Sequence, residues 1–170
     1  MTHHISKSIK VSLPAKKVWE VLNDYGGMEK FVPTVKSSPI VGDKQTGLGA
    51  KRKVTIHHDG SSLVEEIIEY DEGRGYKVEV SQQAPPIKRM QAELRVEAVD
   101  DESSEIYWGV DFEVKGGPLG WLMGNLMMKP IMKGVIAKAV DGLAYHSATG
   151  NLIDSKLPSK DEINSAIRPQ

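Results

Sequence analysis

Apolar and polar residues alternate along several stretches of this chain with the period of two that marks a strand wet on one face. Ile9, Val11 and Leu13 fall on one face of the stretch from Ile5, with Lys10 and Ser12 on the other. Met90, Ala92, Leu94, Val96 and Ala98 alternate with Gln91, Glu93, Arg95 and Glu97, and Ile106, Trp108, Val110, Phe112 and Val114 alternate with Tyr107, Asp111 and Glu113. Turn-forming clusters at Gly42-Asp43-Lys44, His58-Asp59-Gly60, Asp71-Glu72-Gly73 and Asp100-Asp101-Glu102 separate the strands, a spacing that predicts antiparallel neighbours.

Two regions break this rhythm. After Pro14, whose missing N–H suits a first helical turn, Val18, Trp19, Val21 and Leu22 form the stripe of a helix that stops near Tyr25-Gly26-Gly27. A shorter helical piece from Met28 to Val32 meets Pro33, and extended chain resumes by Val35. The longest element begins at Pro118 and runs to about Ala148, with Gly150 as its stop. Leu119, Leu122, Met123 and Leu126 make one stripe on it, and Met132, Val135, Ile136, Ala139, Val140 and Leu143 another, with Lys129, Lys133, Lys138 and Asp141 largely opposite. Pro130 between them predicts a kink or break near Leu126 to Pro130. A sheet with one apolar face must bury it, and no second sheet is left over, so the long helix must cover it. Residues 151–170 are polar, contain Pro158 and Pro169, and are expected to form a partly disordered tail that packs only through Leu152, Ile153 and Leu157.

At 170 residues the chain is expected to hold a single domain over residues 1–150, followed by that tail. A formal charge of -1 lacks the long-range field of a non-specific nucleic-acid binder, so no nucleic-acid partner is expected. With no cysteine there is no disulfide framework, thiolate metal cluster or cysteine nucleophile. The start has no secretory apolar stretch and no run approaches a membrane span, which predicts a cytoplasmic protein without stable membrane insertion. Seven methionines against two phenylalanines, four of them at Met123, Met127, Met128 and Met132, point to an adaptable apolar surface.

The local text carries a resemblance. Val11-Ser12-Leu13-Pro14-Ala15-Lys16-Lys17-Val18-Trp19-Glu20-Val21-Leu22 is followed by Phe31-Val32-Pro33-Thr34-Val35, by Gly47-Leu48-Gly49-Ala50-Lys51-Arg52, and by Glu65 six residues before Asp71. In this order these segments resemble the START-like superfamily, also called Bet v 1-like, which includes polyketide cyclases and lipid-transfer proteins. The resemblance implies an α+β helix-grip fold: a curved antiparallel sheet of about seven strands wrapped around a long C-terminal helix, two short helices after the first strand, and a pocket between sheet and helix. Within the superfamily the text looks nearest to plant abscisic acid receptors and their bacterial relatives. By that likeness Lys36 stands where those receptors place a pocket lysine, and Glu65 where they place a water-linked glutamate. Their gating segment, Ser-Gly-Leu-Pro-Ala, is replaced here by His57-His58-Asp59-Gly60-Ser61-Ser62, and their His-Arg-Leu latch by Gln83-Ala84-Pro85-Pro86-Ile87. A bacterial-type pocket protein therefore fits better than a hormone receptor.

Arg52 is in phase with Leu48, Ala50, Val54 and Ile56 on the apolar face of its strand, where a guanidinium needs a partner. It either pairs internally with Glu65 or Glu69 or holds a ligand carboxylate or carbonyl. The phase of Glu65 is ambiguous, because Leu63 and Ile67 argue for one and Val64, Ile68 and Tyr70 for the other. For Lys36 a solvated position is the commoner outcome. Candidate ligand-binding residues are Lys36, Arg52, Glu65, Met90, Trp108, Leu122, Leu126, Met132 and Ile136. His57-His58 reads as a hairpin end and His3-His4 as a terminal pair, so no metal is assigned, and no cofactor is expected. No nucleophile elbow, phosphate loop or zinc-helix motif is present.

Two functions remain open at this point. One is binding or transport of a small hydrophobic or amphipathic molecule (lipid, terpenoid or polyketide-like); the other is a polyketide cyclase or dehydratase using a pocket carboxylate such as Glu65. The methionine stripe also admits a reading with Trp121, Lys129 and Lys133 as a membrane-touching face.

Overall fold

The computed structural model describes residues 1–168; the last two residues of the expected tail, Pro169 and Gln170, lie outside them. Eight strands form one antiparallel sheet: β1 (His3–Val11), β2 (Val35–Ser37), β3 (Ile40–Val41), β4 (Lys51–Ile56), β5 (Ser62–Asp71), β6 (Gly75–Ser81), β7 (Ile87–Ala98) and β8 (Ser104–Val114). Their order is β1-β8-β7-β6-β5-β4-β2, with the two-residue β3 paired to β4 off this seven-strand path. Helix α1 (Ala15–Asn23) and a 3₁₀ turn (Tyr25–Lys30) bridge β1 and β2. After β8 the chain turns into a helix of 33 residues, formed by α2 (Gly117–Met123), a π turn (Gly124–Met128) and α3 (Lys129–Thr149). The sheet curls into a half-barrel against this helix, which is the helix-grip fold.

The alternation in β7 and β8 delivers one continuous apolar face. Met90 stands opposite Phe112, and Leu94 opposite Trp108, in a register that keeps all four side chains inside. On β1, Ile5 stands opposite Val110 and Ile9 opposite Ile106. In β5 a bulge at Ile68 resolves the ambiguous phase. Ile67 pairs with Val78 and Glu69 with Lys77, so one residue of β5 is extra and the strand changes face there. Glu65 and Ile67 therefore point inward, and the bulge lets Tyr70 share their side.

The long helix does not break at Pro130 but carries a π turn just ahead of it. Pro130 cannot donate a backbone hydrogen bond, and the turn before it widens so that the Lys129 N–H reaches the Gly124 carbonyl five residues back. The extra residue rotates the face that meets the sheet. Beyond the π turn, Ile136, Ala139, Val140 and Leu143 are buried as the second stripe predicts. Ahead of it and within it the buried positions are Gly120 and Gly124, whereas Leu119, Leu122 and Leu126 look outward into solvent. A side chain on Gly124 would collide with the His3 imidazole, and one on Gly142 would meet the Phe31 carbonyl, so both glycines set how closely the helix seats.

The segment expected as a tail differs from that reading. Residues 160–167 form α4 (Lys160–Ile167), with the Ser159 hydroxyl capping it through the Glu162 N–H. Ile163 and Ile167 are buried, the Ser12 N–H donates to the Ile167 carbonyl at 2.8 Å, and Tyr145 donates to Glu162 at 2.9 Å. Ile153 is buried as expected, Leu157 is half-buried, and Leu152 is exposed. Two isoleucines four residues apart behind a serine cap suffice to dock a two-turn helix, a signal that average polarity hides.

Candidate functional site

Arg52 on β4 and Glu65 on β5 are direct cross-strand partners. Arg52 is 1% exposed and Glu65 8%. Arg52 Nε donates to Glu65 Oε2 at 2.7 Å, and Nη2 lies 2.5 Å from the same oxygen. Nη1 donates to the Tyr25 carbonyl at 2.9 Å, while the guanidinium lies 4.2 Å from the centre of the Tyr25 ring. The Tyr25 hydroxyl in turn donates to the Glu65 carbonyl at 3.1 Å. Of the two readings open for Arg52, the internal ion pair is the one present, and its partner is Glu65.

Tyr76 on β6 completes the cluster. Its ring meets Tyr25 edge-on at 5.5 Å, and its buried hydroxyl has no hydrogen-bond partner of good geometry. Burial raises the Tyr76 phenol above its ordinary range and does the same to Tyr25, in each case against the opposing pull of Arg52. For Arg52 burial is the largest influence and works against the charge, but the Glu65 carboxylate, together with Tyr76 and Tyr25 beside it, outweighs burial and holds the guanidinium above its usual value. Both tyrosines escaped the sequence reading. Tyr76 alternates in phase with Val78 and Val80 on β6, a signal that was available; Tyr25 sits in a 3₁₀ turn, which has no such period.

The other candidates divide. Met90, Trp108 and Ile136 are buried between sheet and helix, and Met132, with Met128, packs half-buried against them. Lys36 does not join: Val35 takes the inward position on β2, and alternation turns Lys36 to solvent. Leu122 and Leu126 do not join either, because the front half of the helix presents its glycine face to the sheet. The best-formed surface clefts among the described residues, of 170–420 Å³, are lined by none of Arg52, Glu65, Met90, Trp108, Met132 or Ile136. The candidate site is the buried apolar face between sheet and helix, with one polar cluster set in its wall.

His3 also corrects its sequence reading. Far from being one of a dangling pair, it is a buried residue of β1, 5.0 Å from the Phe112 ring and 6.0 Å from the Trp121 ring. Burial, and then Lys129, holds its pKa below the usual 6.5. Its neighbour His4 points outward to Asp111 at 2.8 Å. His57 and His58 are exposed at the β4–β5 turn.

A grip of curved sheet on a long helix with a polar cluster inside defines a class of proteins, and sequence comparison agrees. The chain belongs to the polyketide cyclase/dehydrase and lipid transport family, whose model matches residues 2–148. Among solved structures it is similar to Ara h 8.0201 (24% identity over 84% of this chain and 98% of that one, TM-score 0.62). It is also similar to the ZhuI aromatase/cyclase of Streptomyces sp. R1128 (18% identity, 89% and 100%, TM-score 0.65). A third is norcoclaurine synthase of Thalictrum flavum (19% identity, 84% and 84%, TM-score 0.64). At these identities the likeness is one of fold. No curated protein sequence matches the chain. Among the described residues no helix is long and apolar enough to cross a membrane.

Proposed function

We propose that this protein binds a small hydrophobic or amphipathic molecule between the inner face of the sheet and the long helix, with the Arg52–Glu65–Tyr76 cluster as its polar anchor. The observation that carries this reading is the cluster itself. A buried ion pair contributes little stability that well-packed apolar side chains would not supply, so its place in an otherwise apolar interior suits recognition better than folding. Arg52 Nε and Nη2 converge on Oε2, which leaves Glu65 Oε1 uncommitted to Arg52, and the Tyr76 hydroxyl, beside Arg52, makes no hydrogen bond of good geometry. One acceptor and one donor beside apolar walls fit a ligand carrying a hydroxyl or carbonyl at one end. Met128 and Met132, unbranched thioethers at and just after the π turn, pack half-buried against the core, and such side chains can yield to an entering molecule at small cost.

A cyclase-type reading would assign Glu65 Oε1 and the Tyr76 hydroxyl to proton transfer on a folded poly-β-ketone. It has the support of the family's description, but the tie to Arg52 favours a fixed anchor over a free base.

Native mass spectrometry of the full chain tests the reading. A co-purified or added amphipathic molecule bound at one per chain, and lost in Tyr76→Phe together with Glu65→Gln, supports it. Adducts that survive both substitutions unchanged count against it.

A further inference from the structure

The front half of the long helix shows its apolar stripe to water. Leu119 is 77% exposed, Leu126 68% and Ile131 58%, and Leu122 and Met127 are exposed beside them. The π turn keeps these side chains on one outward face, from the head of α2 to the start of α3, while Gly120 and Gly124 take the inward one. A contiguous row of this kind on a folded surface needs a partner.

The charge around it says which. From Val114 to Val140 there are four lysines and no carboxylate. Lys115, Lys133 and Lys138 are exposed along the helix and its approach, and Lys129 is half-buried. At the head of the helix a cleft of about 370 Å³ brings Lys115 and Lys88 together with Trp121 and Met1; Glu113 also lines it, 3.5 Å from Lys88. A second copy on this face would set lysines against lysines, whereas an anionic surface would meet them with opposite charge. Leucines on one line, a tryptophan near the head and a stretch from Val114 to Val140 whose only charges are lysines are the make-up of a helix that lies in a bilayer interface.

The geometry points to a docking function: the outward face of residues 115–133 seats the protein on anionic phospholipid bilayers, Leu119, Leu122, Leu126 and Ile131 entering the acyl boundary while Lys115 and Lys133 meet phosphate. This is peripheral attachment and does not depend on what the interior binds. The site is separate from Arg52 and Glu65, so either reading can fail without the other.

Co-sedimentation of the full chain with vesicles tests it, using phosphatidylcholine alone and phosphatidylcholine mixed with phosphatidylserine. Binding is expected only with phosphatidylserine, weakened by salt, and reduced at least about tenfold by Leu122→Glu with Leu126→Glu and by Lys115→Glu with Lys133→Glu. All four side chains are outside the packed core, so the folded state survives, as circular dichroism will show. Val99→Glu, at an exposed apolar residue at the opposite end of β8, leaves binding unchanged. Absence of binding to the mixed vesicles, or binding indifferent to the leucine changes, overturns the proposal. So does a dimer in sedimentation velocity that the leucine changes dissociate while vesicles capture nothing, since the face would then serve self-association.

Discussion

Arg52 reaches Glu65 across adjacent strands and sends two nitrogens to one of its carboxylate oxygens, in a place where neither side chain meets water to any useful extent. Removing one partner leaves the other as a buried, unpaired charge. Glu65→Leu is expected to lower unfolding free energy by about 3–5 kcal/mol, and Arg52→Met with Glu65→Leu to return to within about 1–2 kcal/mol of the parent. Urea denaturation of the four proteins of that cycle measures it. A single Glu65→Leu change that costs under about 1 kcal/mol would show the pair to be solvated in solution.

His3 and Gly124 touch in a similar all-or-none way. The Cβ of an alanine at 124 would collide with His3 Nε2, so Gly124→Ala is expected to cost about 1–3 kcal/mol. Shortening the histidine makes the room. In a His3→Ala background the same change should cost less than half as much, and equal costs in both backgrounds would mean that the π turn seats elsewhere.

The burial of His3 also has a pH signature. Its folded pKa lies below the unfolded value of 6.5, so the unfolded chain takes up the proton first as pH falls. The stability contributed by neutral His3 is complete above about pH 6.5 and is lost progressively below it, towards the lowered folded value. Urea midpoints measured between about pH 7.5 and pH 5.5 should fall more steeply for the parent than for His3→Gln. Parallel curves would place the imidazole in water.

The C-terminal helix is part of the folded unit. Ile167 is fully buried, and Ile167→Ala is expected to cost about 2–4 kcal/mol, a loss that a loose tail would not register. Hydrogen exchange at the Ser12 amide, whose acceptor is the Ile167 carbonyl, should accelerate in parallel.

What could be read from the sequence depended on periodicity having a single meaning. The alternation from Met90 to Ala98 and from Ile106 to Val114 has only one buried solution, and the strands formed in that register. Arg52 was placed inside by the same logic. Leu122 and Leu126 show the limit: a stripe at helical spacing identifies a face that wants a partner, not which partner, and the π turn sent that face outward. Glu65 was undecidable because one bulged residue, Ile68, exchanges the two faces of β5. Lys36 rested on resemblance alone, and the plain rule that unpaired lysines stay wet prevailed. Ile163 and Ile167 were overlooked because the average polarity of residues 151–170 outweighed two well-spaced apolar positions.

If the Arg52–Glu65–Tyr76 cluster anchors a ligand, the interior must open to an amphipathic guest. Titration of the full chain with 8-anilinonaphthalene-1-sulfonate, an aromatic body with one anionic end, followed by methyl NMR, addresses it directly. Saturable shifts at Met90, Met132 and Ile136, reaching completion at one probe per chain and weakened in Arg52→Met with Glu65→Leu, are the predicted result. Shifts confined to Leu119, Leu122 and Leu126, or none that saturate, would contradict it.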